Sequence, residues 1–209
     1  MAVGAVIAFR LDIGGDGSSS DGAPSRTGPT PPFEGGAIPP GLHEFKQFDP
    51  PLSMVFGSGW MAPFAPDGEK VVLEGPVFLA VARPTRVVDP DSMEFVPAPE
   101  DLIAWVGTHK NFEATNPIGT TLGNYPAFMV DATALEGTKT LAFNVVDAIL
   151  VAKGDRMRLI VANVEGKTVA AMMIASPADF DAKMATGQGL LDTLRFDEAN
   201  GETPAQSPT

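Results

Sequence analysis

Between Phe143 and Ser176 the chain reads FNVVDAILVAKGDRMRLIVANVEGKTVAAMMIAS, three apolar runs separated by Lys153-Gly154-Asp155 and Glu165-Gly166-Lys167. Runs rich in Val, Ile and Ala and joined by so few turn residues have no crossover between them, so adjacent strands must run antiparallel. The stretch predicts a three-stranded antiparallel meander. Within it Arg156 and Arg158 alternate with Met157 and Leu159, the period of a strand with one polar and one buried face.

The rest of the chain extends this pattern. Leu52 to Trp60 and Lys70 to Val88 are rich in Val and Phe, broken by Gly and Pro, and read as strands. In IGTTLGNYPAFMVDATA, Gly123-Asn124 divides two strand-like pieces and suits a tight hairpin turn. Two segments have the longer period of a helix. The first is APEDLIAWVGTHKNF, with Pro99 expected in the first turn, Glu100 and Asp101 at the positive end of the dipole, and Leu102, Trp105, Val106 and His109 on one face. Pro117 stops it. The second follows Ser176-Pro177, an expected N-cap and first-turn pair, and places Phe180, Met184, Leu191 and Leu194 at helical steps. Gly187 and Gly189 each cost that helix roughly 1 kcal/mol against Ala, so packing must hold it. The fold class expected is α+β: a mostly antiparallel sheet of about six strands flanked by helices.

With 209 residues, 44% of them hydrophobic, the chain is sized for one packed domain, placed from His43 to Asp197. The ends differ from it. Residues 1–9 are apolar, residues 10–42 form a Gly/Ser/Pro-rich linker expected to be disordered, and residues 198–209 lack any apolar period and read as a disordered tail. Ala2 to Phe9 is too short to cross a bilayer, which needs about 20 apolar residues, and has no basic residues before it. Two readings follow: the last turns of a truncated transmembrane helix, or a loosely docked terminus.

A net charge of −12 without a Lys/Arg cluster repels a phosphate backbone, so nucleic acid is not an expected partner. The absence of cysteine excludes disulfides, thiolate metal sites and a thiol nucleophile, and leaves the compartment open.

The blocks FDPPLSMVFGSGW, ARPTRVVDP, PAPEDLIAWVGTHKNFEATNPIGTTLGNYPAFMVDA and DRMRLIVANVEGKTVAAMMIASPADFDAKMATGQGLLDTLRF resemble a group of actinobacterial surface domains, from about Phe48 to Phe196. The closing block is also similar to the end of PsbP-like domains, whose last helix carries a Leu-Asp-Ser/Thr-Leu pattern, here Leu191-Asp192-Thr193-Leu194. The resemblance implies an antiparallel sheet between helices and a domain exported or tethered by one N-terminal helix. It implies no catalytic site, because fold alone does not fix chemistry.

Residue by residue, no catalytic, cofactor-binding or metal residue is assigned and no cofactor is expected. His109 continues an apolar stripe near a helix C-terminus, where a protonated imidazole would cap the dipole. His43 stands beside the linker without a ligand set. Asp89, Asp91 and Glu94 read either as a solvated acidic turn or as a weak Ca²⁺ site, whose spacing departs from the EF-hand loop. GSGW, GDGSSSDG and GQG lack the Lys-Ser/Thr of a phosphate cradle, and Ser58 and Ser176 have no His and Asp in a nucleophile context. Asp179 and Asp181 point to different faces of their helix, while Trp60, Trp105, Met172 and Met173 read as core. Arg83 and Arg86 read as caps of a strand end.

The function expected is a non-enzymatic extracytoplasmic binding or sensing domain, held on the outer face of the cell membrane by an N-terminal helix. Its partner would be a protein or small molecule that the sequence does not name. Two alternatives stand beside it: a soluble enzyme or small-ligand carrier, cytoplasmic, with a cleft between sheet and helix, and a structural module of a cell-envelope assembly.

Overall fold

The structure, a computed structural model, describes residues 35–142 and 148–197. In chain order its elements are β1 (Gly36–Ile38), β2 (Gly41–Phe45), β3 (Leu52–Phe56), β4 (Trp60–Ala62), β5 (Lys70–Leu73), β6 (Phe78–Ala82), β7 (Arg86–Val88) and β8 (Phe95–Pro97). Then come α1 (Leu102–Thr108), β9 (Phe112–Ala114), β10 (Ile118–Leu122), β11 (Tyr125–Ala134), β12 (Thr138–Ala142), β13 (Ala148–Val151), β14 (Arg156–Val164), β15 (Lys167–Ala175), α2 (Phe180–Leu191) and β16 (Arg195–Phe196).

The hairpin of β14 and β15 lies at the centre. Its turn is Glu165-Gly166, with φ of 52° and 83°. Two successive left-handed residues match the right-handed twist of the strands, and Gly adopts that region without a Cβ penalty. The sheet runs β10-β11-β14-β15-β6-β5, with β9 sharing the outer edge of β11, and all its pairs are antiparallel. The class is α+β as expected, but this sheet has seven strands, not about six. Smaller sheets are β16-β3-β2, β13-β12-β7-β8 and β1-β4.

The expected meander is broken at its first strand. The run before Lys153 is β13, which pairs with β12 in the four-stranded sheet and not with β14. Both edges of β14 are already filled, by β11 and β15. The Lys153-Gly154-Asp155 link is also held elsewhere, because the Gly154 N–H donates to the Ala134 carbonyl and the Ala134 N–H donates to the Asp155 carbonyl.

Alternation along each strand sends neighbouring residues to opposite faces of the central sheet. Val169, Ala171 and Met173 of β15, with Ile160, Ala162 and Val164 of β14, meet α2 and the β16-β3-β2 sheet in one buried core. Ala170 and Met172, with Met157 and Leu159, meet α1 and residues of β7 and β13 in a second core. A sheet covered on both faces explains its near-continuous apolar strands.

The edges of several elements differ from expectation. β2 pairs with β3 and β1 with β4, so strand pairing begins at Gly36, ahead of the His43 edge. Ladder hydrogen bonds satisfy backbone groups there whatever the local Gly and Pro content. The apolar segment 1–9, residues 10–34 of the linker and the tail from 198 lie outside the described residues. Helix α1 starts at Leu102, because Asp101 is its N-cap and accepts the Ala104 N–H at 2.8 Å, leaving Pro99 outside the first turn. Helix α2 starts at Phe180, not at Pro177. Ser176 instead closes the turn before it, accepting the Asp179 N–H on its carbonyl and donating its hydroxyl to Asp179 at 2.9 Å. Among the described residues no helix is long and apolar enough to cross a membrane.

Candidate functional site

The residues singled out in the sequence do not converge on a common site. Asp89 Oδ1 accepts the backbone N–H groups of Ser92 and Asp91 at 2.8 and 3.0 Å and the Ser92 hydroxyl at 3.0 Å. These bonds, the Ser92 N–H foremost, hold its carboxyl below the ordinary range. Asp91 pairs with Lys110, and the Glu94 carbonyl accepts the Asp89 N–H. Among the described residues no three His, Asp or Glu side chains gather in a way that would hold a metal.

His109 departs from its expected role as a charged cap. It is only 4% exposed and lies between Trp105 and Phe112, with ring centroids 4.7 and 4.9 Å away. Its Nδ1 accepts the Asn111 N–H at 3.2 Å, so the neutral ring carries its proton on Nε2, which has no partner among the described residues. Burial pushes its pKa below the ordinary 6.5, with Lys110 adding to the shift. Desolvation disfavours the charged form that a dipole cap needs.

The remaining candidates serve the fold. His43 Nε2 lies 2.8 Å from the Pro39 carbonyl, and its ring meets Phe56 edge-on. Arg83 donates to Asp49 at 2.7 Å, and Lys167 joins the same carboxylate, whose pKa is lowered chiefly by the Lys167 hydrogen bond. Arg86 donates to the Phe95 carbonyl at 3.3 Å, which joins β7 to β8 as an end cap would. Asp179 pairs with Lys183 across one turn of α2. Trp60, Met172 and Met173 are buried, and Trp105 is half-buried against the second core. Ser58 is exposed between β3 and β4.

A cleft forms whose lining includes Glu100, Asp101, Leu102 and Pro117, which the sequence singled out only as the start, face and stop of a helix. On the α1 face, registered pairs align Val130, Leu159, Met172 and Ala80 across four strands, and all four are buried. The next row toward the hairpin ends aligns Gly119, Phe128, Val161 and Ala170. Here cover stops. Phe128 is 61% exposed, and among the described residues no atom beyond the chain neighbours of Gly119 lies within 4 Å of where its Cβ would stand. Beside this row opens a cleft of about 560 Å³, floored by Pro126, Phe128 and Val161 and walled by Leu102, Ile103 and Pro117.

Glu100, Asp101, Asn163 and Thr168 add polar groups to its lining. Asp101 Oδ1 is held by its own helix, and Asn163 Oδ1 accepts the Gly166 N–H at 2.8 Å. Apolar clefts that carry a few polar groups are where ligands commonly bind. The sequence signal for it was faint: Pro117, next to Ile118, which stays 54% exposed, and Pro126, two residues before Phe128.

No protein-family profile matches the sequence, and no curated protein matches it. Among solved structures, the chain is similar to the cyanobacterial PsbP protein CyanoP of Synechocystis, with a TM-score of 0.40 and 12% identity over 75% of this chain and 93% of that one. It is also similar to LpqN of Mycobacterium tuberculosis, described as involved in cell envelope biogenesis, with a TM-score of 0.32 and 9% identity over 78% of this chain and 82% of that one.

Proposed function

We propose that this chain is a non-catalytic binding domain, presented on the extracytoplasmic side of the membrane, that holds a partner in the cleft beside α1. The observation that carries the reading is Phe128, a large aromatic left 61% exposed on the floor of an apolar cleft. Covering such a side chain is worth about 1.5–3 kcal/mol, enough to make it the anchor of an interface. Two of the polar groups at the cleft, Asp101 and Asn163, cap their own turns, which favours holding over chemistry. The placement outside the membrane rests on the order of apolar segment, Gly/Ser/Pro-rich linker and folded body.

A photo-reactive phenylalanine analogue at position 128, introduced in native cells, tests the binding reading. A discrete adduct is expected from position 128 and none from Leu42, which is equally exposed on the outer β2 strand. Equal labelling from both positions refutes the cleft. Protease accessibility on intact cells tests the placement, with cleavage expected before membranes are broken.

A further inference from the structure

We infer that the occupant of this cleft is an apolar peptide segment carrying Lys or Arg. The inference rests on the reading of the cleft as a binding site and adds the chemistry of what it binds. Among the described residues its charged lining is Glu100 and Asp101, with no Lys, Arg or His. Glu100 makes no hydrogen bond or ion pair among the described residues, and only one carboxylate oxygen of Asp101 is engaged, by the Ala104 N–H.

The chain as a whole is acidic too, with a net charge of −12. An anionic partner, or a second copy of this chain, would bring like charges together at the cleft. A cation placed there instead meets two carboxylates and, over the floor, the negative face of the Phe128 ring. The apolar floor calls for aliphatic or aromatic side chains on the same segment. An open cleft admits an extended backbone more readily than it encloses a compact small molecule.

The full chain, isotope-labelled, is titrated with three peptides and followed by its amide resonances. The peptides are acetyl-Lys-Leu-Phe-Leu-Lys-amide and its counterparts with Gln or Glu in place of Lys. The Lys peptide is expected to shift Gly119, Phe128 and Ile103, to bind about five-fold more tightly than the Gln peptide, and to lose that margin as salt is raised. The Glu peptide is expected to bind more weakly still. Glu100→Gln should reduce the advantage of the Lys peptide and leave the Gln peptide unchanged, which a merely structural role for Glu100 would not do. Gly119→Leu sets a bulky side chain directly opposite Phe128, where its Cβ meets no atom of the described residues beyond its chain neighbours, so it should abolish all three interactions in a folded chain.

If the Gln or Glu peptide binds as tightly as the Lys peptide at these same residues, the cation preference is wrong and the cleft reading survives. If no peptide shifts them, or if Gly119→Leu leaves binding intact, the cleft reading falls with it.

Discussion

The two faces of the central sheet are finished differently. On the α2 face burial continues to the hairpin ends: Ala127, Ala162, Val164 and Val169 are all at most 6% exposed, beneath a core that also holds Phe45, Phe56 and Phe196. On the α1 face burial stops one row short. α1 has only seven residues, and the row carrying Phe128 and Val161 lies beyond its N-terminal end. One face is closed to the hairpin ends, and the other leaves an aromatic side chain open to solvent. A pair of phenylalanines shows the contrast, since Phe180 is 1% exposed and Phe128 is 61% exposed.

Phe180→Ala is the harshest way to break the closed face. Removing a buried ring that also lies 3.8 Å beneath the Arg156 guanidinium should cost about 3–5 kcal/mol in urea unfolding. A loss below about 1 kcal/mol would show that the face is not tightly packed.

The glycines of α2 sharpen the same point. A Cβ at Gly187 would stand 2.2 Å from Met173 Sδ and 3.1 Å from Val77 Cγ1, whereas none of the surroundings comes within 4 Å at Gly189. Gly187→Ala should destabilise by about 1–3 kcal/mol, and Gly189→Ala should stabilise by up to about 1 kcal/mol through helix propensity. The same sign for both would mean that the close approach of helix and sheet does not matter.

His109 probes the covered part of the α1 face. Its folded pKa is depressed below the ordinary 6.5 by burial, so the unfolded chain binds the extra proton first as pH falls. The stability it contributes is therefore complete above about pH 6.5 and declines as pH falls below that value toward the folded pKa. Asp89 and Asp91 oppose the shift, and Lys110 adds to it. His109→Gln should flatten this part of the stability profile, read from urea midpoints between neutral and mildly acidic pH. An unchanged slope would mean that the ring is not desolvated.

The smallest effect on stability is expected from Phe128→Ala, within about 0.5 kcal/mol, because a side chain open to solvent gives up little on truncation. A loss near that of Phe180→Ala would erase the distinction between the faces.

Much of the scaffold was legible before the structure, and the reason is local. Val/Ile/Ala alternation and the Glu165-Gly166 and Gly123-Asn124 turns mark β14, β15, β10 and β11 without long-range information. Pairing is not local, and β13 illustrates it: nothing in its own residues says that β11 already holds the edge of β14. The aromatic trio Trp105, His109 and Phe112, at helical steps, was a signal for a buried imidazole that a dipole argument overrode.

The cleft was harder to see. Phe128 belongs to the same alternating set as Val130 and Ala132, which are buried, and only the reach of α1 separates them. Whether a helix covers one row or two depends on where it docks, which neither strand period nor helix period records.

The central claim is that the α1 face keeps an open apolar cleft at Phe128, and Nile red fluorescence on the full chain tests it most directly. Wild type should give blue-shifted, enhanced emission that is lost in Gly119→Leu, while the melting temperature of that variant stays the same. Equal emission from wild type and Gly119→Leu would place the apolar site elsewhere and contradict the account.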